Sequence, residues 1–466
     1  MKSHPRAMRN LLPVLFVVAC GPRGAAVDLP LRDVPRATDV DADAKTVKVR
    51  LIAGEGKTEY LAGKQADVWA YRDAMTGAGV IPAPTIVANV GDTLVVELEN
   101  QLTSETTIHW HGLRLPNAAD GSNASQQAVA PGGKYEYRFE AKDVGTFWYH
   151  PHVRADVQIE KGLYGALIVR GPDEPEVAAD RTFILDDVKL EASGKLSETT
   201  DQLDMMLGRQ GNVLLVNGQR KAGIEVASGS RERWRFINAA NGRYFNLSLA
   251  GHSFLVIAWD GGLLPEPYRV ETLLIAPGER YELLVDFDQK EGGWLQTSHY
   301  DRGHDIPDPG PQDVLQVAYG PATKAAGALP GKWRDLTPTP VPAGTPLKTF
   351  TLTELDMPDG PKFFINDRAW PLPEPVMVKQ GDLELWEIEN KSEMDHPFHL
   401  HGMFFEVQSL DGQPPAHFGW KDTVNVPKES KLRFAVRYDG LGMWMYHCHI
   451  LEHAERGMMG ELMVMP

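Results

Sequence analysis

The chain has 466 residues and a mass of 51.6 kDa, which corresponds to about two to four domains of ordinary size. Hydrophobic residues make up 42% and charged residues 24%, proportions that exclude a disordered chain and a polytopic membrane protein. The net charge of −16 argues against nucleic acid as a partner, because an acidic surface repels phosphates. Only Cys20 and Cys448 are cysteines, so neither a disulfide-stapled scaffold nor a cysteine-based zinc cluster is expected.

The N-terminus has the layout of an export signal. Basic residues precede an apolar run from Leu11 to Ala19 that is too short to span a bilayer. The residues around Cys20 resemble a bacterial lipobox, which implies cleavage before Cys20 and lipid attachment to its sulfur. The alternative is ordinary signal cleavage near Ala25-Ala26, which would discard Cys20. Both interpretations predict an exported protein of the periplasm or cell envelope, and the lipobox adds a membrane anchor.

Short alternating strands, separated by glycine and proline turns, predict an all-β protein from Thr46 onward. Proline-rich stretches after Gly171 and from Pro321 to Pro346 interrupt the pattern and mark domain boundaries. The predicted organisation is a signal peptide (1–20), a tether (21–45), a first domain (46–171), a second domain (172–320), a linker (321–346) and a third domain (347–466).

The first and third domains look like divergent copies of one β-sandwich. Each has a Gly-Asp turn that opens an alternating strand, at Gly91 and at Gly381, and a His-x-His-Gly motif follows in both. The second domain has a related Pro-Gly-Glu turn before Tyr281 but no histidine pair. The paired histidines therefore belong to the two similar domains.

Four His-x-His pairs occur, where chance placement of the 15 histidines would give fewer than one. Residues i and i+2 of an extended chain face the same side, so each pair presents two imidazoles together. Neutral imidazole is the commonest metal ligand and suits copper, zinc, iron and nickel. A purely structural role is the alternative, but eight buried imidazoles would need many hydrogen-bond partners. The pairs are His109/His111, His150/His152, His399/His401 and His447/His449.

The surroundings of Cys448 indicate which metal is bound. On an extended segment its side chain points away from its two histidine neighbours, so it must face a second site behind theirs. Two histidines, one cysteine thiolate and a weak axial methionine form the blue-copper arrangement, and His396, Cys448, His453 and Met458 fit it. Zinc would more often draw several cysteines.

Together these motifs resemble those of the multicopper oxidases, in the same order along the chain and over roughly residues 45–466. The resemblance implies three cupredoxin-like Greek-key β-sandwich domains that hold four coppers per chain: one type 1, one type 2 and two type 3. The motifs are His109-Trp110-His111-Gly112, His150-Pro151-His152, His396-Pro397-Phe398-His399-Leu400-His401-Gly402, and His447-Cys448-His449-Ile450-Leu451-Glu452-His453 with Gly457-Met458.

The resemblance also implies a ligand set for each copper and a route for electrons. A reducing substrate gives electrons to the type 1 copper at the edge of His453, and Cys448 relays them to its histidine neighbours. At the trinuclear site O2 is then reduced to two waters. The implied ligands are His396, Cys448, His453 and axial Met458 for type 1; His109 and His399 for type 2; His111, His150 and His449 for one type 3 copper; and His152, His401 and His447 for the other.

Acidic residues near these motifs are candidates for proton supply. Asp120 stands where the family keeps an acid near the trinuclear site, which implies proton supply and a hydrogen bond to copper-bound water. An Asx turn before Gly121 is the alternative. Some relatives carry a second acid directly after the last type 1 histidine, where this chain has Ala454. Glu452 is expected to be a surface or hydrogen-bonding residue.

The four remaining histidines of the predicted domains lack ligand spacing and are expected at the surface or in hydrogen bonds. They are His252, His299, His304 and His417.

The predicted function is laccase-like oxidation of phenols or aromatic amines with O2 as acceptor. An axial methionine keeps the potential of the type 1 copper low, which favours easily oxidised donors. A metallo-oxidase acting on Cu(I) or Fe(II) in copper tolerance is the alternative. A two-domain nitrite reductase is disfavoured by the four histidine pairs. A non-enzymatic carrier or scaffold is the third alternative, but it would have lost copper ligands that this chain keeps. The protein is expected to be a monomer.

Overall fold

The computed structural model describes residues 27–77, 79, 81–172, 174–288, 292–304, 306–322, 327–329, 333–372 and 374–466. The predicted signal peptide and its Cys20 lie outside the described residues. The described residues form 29 strands, three α-helices of five or six residues and one 3-10 helix of three residues, so the predicted all-β fold class is confirmed. None of these helices is long and apolar enough to cross a membrane.

The first pair of sheets contains eight strands in two four-stranded layers. One layer has the order β2-β1-β4-β6 and the other β3-β8-β7-β5, and β1 pairs with β4 in parallel. The strands are β1 (Thr46–Leu61), β2 (Lys64–Asp73), β3 (Ala83–Asn89), β4 (Thr93–Asn100), β5 (His109–His111), β6 (Lys134–Glu140), β7 (Gly145–His150) and β8 (Gly165–Arg170).

The second pair of sheets contains eleven strands around its own apolar core. Listed by bounds, they are β9 (Ala179–Val188), β10 (Val213–Val216), β11 (Gly223–Ser228), β12 (Arg231–Asn238), β13 (Phe245–Leu249), β14 (Phe254–Trp259), β15 (Gly262–Val270), β16 (Leu273–Ile275), β17 (Arg280–Asp286), β18 (Gly293–Ser298) and β19 (Gln312–Ala322). One sheet has the order β10-β9-β12-β17-β14-β15 and the other β11-β19-β18-β13-β16. The core between them includes Trp234, Phe236 and Phe254, all without exposed surface.

The third pair of sheets contains ten strands. Their bounds are β20 (Leu347–Leu355), β21 (Lys362–Ile365), β22 (Val376–Lys379), β23 (Leu383–Asn390), β24 (His396–Leu400), β25 (Phe405–Leu410), β26 (Thr423–Val426), β27 (Lys431–Arg437), β28 (Gly442–Cys448) and β29 (Met459–Met465). One sheet has the order β21-β20-β23-β27-β25 and the other β22-β29-β28-β24-β26. In β23 buried and partly buried residues alternate without exception, which is the period of a strand with one face on the core.

The first and third sheet pairs repeat one topology. The order β3-β8-β7-β5 corresponds to β22-β29-β28-β24, and the parallel pair β1–β4 corresponds to β20–β23. The glycines of the two predicted Gly-Asp turns, Gly91 and Gly381, both have φ of 86°, a conformation that glycine adopts without strain. Because β5 and β24 occupy the same place in the repeat, their histidine motifs are structurally equivalent.

Three short helices lie near the ends of the histidine-bearing strands: α1 (Ala155–Glu160), α2 (Gln202–Leu207) and α3 (Leu451–Glu455). Helix α2 begins with a capping box, in which Asp201 and Asp204 each accept a hydrogen bond from the other's backbone N–H. Both α1 and α2 contact α3, which follows β28 directly. The helices therefore pack together beside the end of β28.

The backbone around Gly121 packs directly against β5. Gly121 has φ of +80°, and a Cβ there would overlap the carbonyl oxygen of Ile108, just before the first histidine of β5. Gly132 has a similar φ of +76°, but nothing lies within 4 Å of the position of its Cβ. Both glycines therefore have a left-handed backbone conformation, but only at Gly132 is there room for a Cβ.

We expect Gly121→Ala to destabilise the protein more than Gly132→Ala. Both substitutions incur the cost of a left-handed residue, about 1–2 kcal/mol. Gly121→Ala adds a steric overlap with backbone, which costs about a further 1–3 kcal/mol. Denaturant unfolding of the two copper-free variants measures the difference, and equal losses would contradict the close approach to β5.

Candidate metal centre

Two antiparallel strand pairs bring the histidine motifs to one seam between the first and third domains. In the first domain β5 pairs with β7, with His109 opposite His150. In the third domain β24 pairs with β28, with His399 opposite His447. Because the two pairs occupy equivalent places in a repeated fold, they present their imidazoles to each other across the seam.

The eight paired histidines form one buried cluster with four members from each domain. The rings stack across the seam, His109 on His401 with centroids 3.9 Å apart and His111 on His399 at 3.8 Å. The Nε2 atom of His447 lies 3.1 Å from that of His401 and 3.3 Å from that of His152. No side chain in the cluster is more than 8% exposed.

Many ring nitrogens in this cluster have no hydrogen-bond partner among the residues that the structure describes. The opposite nitrogen of several rings bonds to a backbone oxygen: His109 Nδ1 to Asp120 at 2.8 Å and His399 Nδ1 to Asp422 at 2.9 Å. Such contacts fix the ring and leave the other nitrogen for a metal. A buried polar atom normally has a partner, so this donor set fits metal ions. The unpartnered atoms are His109 Nε2, His111 Nδ1, His150 Nε2, His399 Nε2 and both nitrogens of His449.

The protonation state of the rings also suits metal binding. Burial and the neighbouring histidines hold the pKa values of His150 and His447 well below the ordinary range. Burial, then His109, lowers the pKa of His152 to about 3. A metal needs the neutral imidazole, so these side chains are ready to coordinate at neutral pH without losing a proton.

The predicted ligand sets can be compared with the groups that the geometry brings together. The predicted set His152, His401 and His447 is one compact group, with its ligand atoms within 4.8 Å of one another. His449 is predicted to join His111 and His150, and its ring centroid lies 4.9 Å and 5.7 Å from theirs. Two other compact groups are His109/His399/His401 and His109/His111/His150.

Cys448 lies on the opposite side of β28 from the eight-histidine cluster. Its Sγ is 3.5 Å from Nδ1 of His396 and 3.8 Å from Nδ1 of His453, and these two nitrogens are 3.2 Å apart. Their other nitrogens bond elsewhere, His396 Nε2 to the hydroxyl of Ser392 at 2.7 Å. Burial raises the pKa of the Cys448 thiol well above its usual value, and metal coordination is what would deprotonate it.

Met458, the predicted axial ligand, is fully buried and tied to this group through its backbone. Its N–H donates to the carbonyl of His453 and its own carbonyl accepts from Cys448, both at 3.0 Å. Backbone hydrogen bonds thus connect Met458 both to β28, through Cys448, and to α3, through His453.

His453 lies on α3 rather than on a strand, and its ring edge is covered. Its Nε2 lies 2.9 Å from the carbonyl oxygen of Met206 in α2, and Phe363 stacks on the ring at 3.8 Å. His453 has no exposed surface. Helix α2 therefore covers the ring edge at which, as the resemblance implies, electrons enter.

Asp120 lies behind two of the predicted ligands. Its carboxylate oxygens are 3.1 and 3.2 Å from Nδ1 of His401 and 3.4 Å from Nδ1 of His109. Burial alone would raise the pKa of this carboxyl, but the two histidines outweigh it and hold the pKa well below its usual range. The contacts observed for Asp120 are thus with ligand rings.

Two functional contacts were not predicted from the sequence. The carboxylate of Asp422 lies 3.2 Å from Nε2 of His111, and the backbone oxygen of Asp422 accepts from His399. Arg280, from the second domain, holds this carboxylate through two hydrogen bonds of 2.6 Å. Nothing in the local sequence marks either residue, because their partners are far away along the chain.

Glu452 is not at the surface. It is 3% exposed, Oε1 accepts a hydrogen bond from Asn241 at 2.8 Å, and Oε2 has no partner among the described residues. Burial raises its pKa to about 7. Glu452 therefore has the hydrogen-bonding role expected from the sequence, but it has that role in the protein interior rather than at the surface.

The histidines without ligand spacing stay outside both groups. His252 lies 2.7 Å from the hydroxyl of Tyr319, His304 pairs with Glu354 at 2.9 Å, and His417 stacks on Tyr268. His299 lines a cavity in the second domain.

Family models described as multicopper oxidase match residues 57–174, 186–318 and 343–466, and the first and last of these segments together carry both histidine groups. The chain belongs to the multicopper oxidase family. Copper is therefore the metal that this family's donor set takes, and the reaction partners are a reducing substrate and O2.

Individual relatives of this multicopper oxidase cover nearly its whole length. Multicopper oxidase mco of Staphylococcus epidermidis is 31% identical over 89% of this chain and 88% of its own. A Campylobacter jejuni multicopper oxidase, described as a metallo-oxidase, superimposes with a TM-score of 0.84 at 31% identity over 95% of this chain and 96% of that one.

A third relative comes from a lignin-degrading Ochrobactrum species. This laccase-like multicopper oxidase, CueO, has a TM-score of 0.80 and 28% identity over 94% of this chain and 100% of its own. It is described as having oxidase activity towards lignin model compounds and lignosulfonate.

We expect Asp422→Asn to weaken copper binding by the eight-histidine cluster and to spare the Cys448 group. The substitution removes the charge that Arg280 and His111 share, and loss of such an outer partner costs about 10–100-fold in metal affinity. Copper content after dialysis against a graded chelator measures this. The matched control is Asp143→Asn, which breaks a partly buried Arg–Asp pair, with Arg114. Equal copper retention by the two variants would contradict the role given to Asp422.

Proposed function

We propose that this multicopper oxidase is laccase-like and oxidises phenols or aromatic amines one electron at a time while O2 is reduced to water. The observation that carries the proposal is the placement of two groups on opposite faces of β28. His396, Cys448 and His453 lie on one face, and the eight paired histidines lie on the other. The activity described for the Ochrobactrum relative supports this substrate class. When bound, copper supplies the redox chemistry, and the side chains supply its geometry.

The proposed division of ligands follows the two faces of β28. A type 1 copper is assigned to His396, Cys448 and His453 with Met458 as axial ligand, and three coppers are assigned to the cluster behind it. His447 and His449 flank Cys448, so the backbone of three consecutive residues joins the two sites covalently. The proposed stoichiometry is four coppers per chain, in a monomer. The cluster is assigned one type 2 copper on His109 and His399, and type 3 coppers on His111, His150 and His449 and on His152, His401 and His447.

Asp120 is proposed to orient rings and to serve proton supply. Its carboxylate accepts from His401 and lies against His109, which fixes which nitrogen of each ring faces the cluster. Proton supply for the reduction of O2 is the role that the resemblance implies for it.

Export is proposed from the first twenty residues. A basic start, a short apolar run and a lipobox-like segment around Cys20 support a lipid-anchored protein of the cell envelope.

A metallo-oxidase is the second candidate, and one feature favours it. Helix α2, which covers His453, carries two consecutive methionines, Met205 and Met206, and Met357 is 40% exposed. Thioethers are ligands that select Cu(I). The description of the Campylobacter jejuni relative as a metallo-oxidase points the same way.

We expect the copper-loaded protein to be intensely blue and Cys448→Ser to abolish that colour. The colour arises from the thiolate bond, so the variant should keep the coppers of the other cluster and lose O2 uptake. Met458→Leu is the matched control, because it removes only the weak axial ligand and should stay blue. Absorption spectra and copper analysis decide the outcome, and a colourless copper-loaded parent protein would refute the proposal.

Substrate preference is expected to favour the phenol in a comparison of kcat/KM for Cu(I), Fe(II) and a simple phenol on one preparation. The double variant Met205→Ala/Met206→Ala should leave phenol oxidation within about twofold, because phenols need no thioether ligand. Met377→Ala, an exposed methionine on β22, is the control. If both metal ions were oxidised much faster than the phenol, and the double variant lost Cu(I) oxidation selectively, the metallo-oxidase assignment would replace the laccase-like one.

A further inference from the structure

A loop of the second domain is packed against the chain just before His396. Gly303 pairs with Met394 in an antiparallel bridge, and the N–H of Asp395 donates to the carbonyl of Arg302 at 2.8 Å. Asp395 directly precedes His396, one of the predicted type 1 ligands. The second domain therefore contacts the segment that carries this ligand.

Asp395 is a buried carboxylate that is held by neutral donors. It is 2% exposed and makes no ion pair within the part of the chain that the structure describes. Both of its oxygens accept hydrogen bonds, which is the pattern of an ionised carboxylate, so Asp395 keeps its negative charge. The donors are the hydroxyl of Tyr300 at 2.6 Å, the amide of Asn425 at 2.7 Å and the backbone N–H of Lys428 at 2.8 Å.

A buried positive charge lies in the same region. Arg302 is 2% exposed, and its guanidinium lies over the ring of Tyr244, 5.6 Å from the centroid. Tyr244 belongs to the same apolar core as Cys448. Burial lowers the pKa of Arg302 to about 10, and Asp395 is one of the groups that oppose this lowering. At neutral pH Arg302 is therefore charged, and Asp395 offsets part of its charge.

Both charges are close enough to the Cys448 group to act on a metal ion there. Burial is the main cause of the low pKa values of His396 and His453, and the charge of Arg302 contributes to both. Asp395 is joined to His396 by a single peptide bond. The charge of a bound copper ion changes by one unit in each electron transfer, so buried charges nearby change the balance between its two redox states.

We propose that Asp395 keeps the reduction potential of the type 1 copper low by offsetting the buried charge of Arg302, and so determines which donors are oxidised. The oxidised ion carries one more positive charge than the reduced ion. A carboxylate nearby therefore favours the oxidised state and lowers the potential, whereas a guanidinium raises it. A low potential restricts the enzyme to easily oxidised donors, such as electron-rich phenols and aromatic amines.

This inference rests on the proposed type 1 copper at Cys448, but not on the choice of substrate. The potential is measured on the copper-loaded protein with redox mediators, without a phenol or a metal-ion donor. A parent protein that is not blue would overturn both the copper assignment and the inference. A blue parent whose potential does not depend on Asp395 would overturn the inference alone.

Redox titration followed at the blue absorption band tests the proposal. We expect Asp395→Asn to raise the equilibrium constant for reduction about tenfold, which is about 59 mV for one electron. Asp395→Glu keeps the charge and should stay within about threefold of the parent. Asp73→Asn is the matched control and should leave the potential unchanged. Asp73, in the first domain, is also 2% exposed and is also held by neutral donors, the backbone N–H groups of Thr38 and Met75.

The double variant Arg302→Gln/Asp395→Asn tests whether the two charges offset each other. Arg302→Gln alone should lower the potential, because it removes the positive charge and leaves the carboxylate. The double variant should therefore lie between the two single variants, within about threefold of the parent. Arg302→Gln leaves the hydrogen bonds of the carboxylate intact, so it tests the offset even if Asp395→Asn does not fold.

Three results would overturn the proposal. One is a potential that Asp395→Asn leaves unchanged or lowers. Another is a shift of equal size in Asp395→Glu, which would indicate lost packing rather than lost charge. The third is a double variant whose potential is as high as that of Asp395→Asn.

Thermal unfolding of the copper-loaded variants gives an independent test. Asp395→Asn should lower the melting temperature, because it leaves the guanidinium of Arg302 buried without an opposing charge. Removing that guanidinium as well, in the double variant, should recover part of the loss. A double variant that melts no higher than Asp395→Asn would contradict the offset between the two charges.

Discussion

The structure depends on keeping eight imidazoles buried at the seam between the first and third domains. Packing them without a partner would leave several ring nitrogens unsatisfied, which is costly in a protein interior. Metal coordination removes that cost, and it does so only where the two domains meet. The stacked pairs His109/His401 and His111/His399 each take one ring from each domain, so the seam and the metal centre are the same structure.

The second domain contributes no histidine to this centre, but an ion pair between Arg280 and Asp422 connects that domain to the centre. Arg280 crosses from β17 to hold Asp422, whose side chain and backbone contact histidines from both other domains. Removing one partner of such a buried pair costs about 3–5 kcal/mol, because the remaining charge is left alone. One buried arginine–aspartate pair behind the ligands thus links the second domain to histidines of the other two.

The sequence was most informative where chemistry is encoded by local spacing. The histidine pairs and the alternation around Cys448 needed only the two-residue period of a strand to separate two sites, and the repeated Gly-Asp turns at Gly91 and Gly381 revealed the duplicated fold. The helix that carries His453, the cover over its ring edge and the contacts of Asp422 all depend on partners distant in sequence.

The central claim is that the two domains share one copper cluster behind a separate copper at Cys448. Anomalous diffraction at the copper edge, from crystals of the copper-loaded protein, tests it most directly. The account predicts three peaks enclosed by the eight histidines and one peak between His396, Cys448 and His453. Peaks confined to a single domain's histidines, or none beside Cys448, would contradict it.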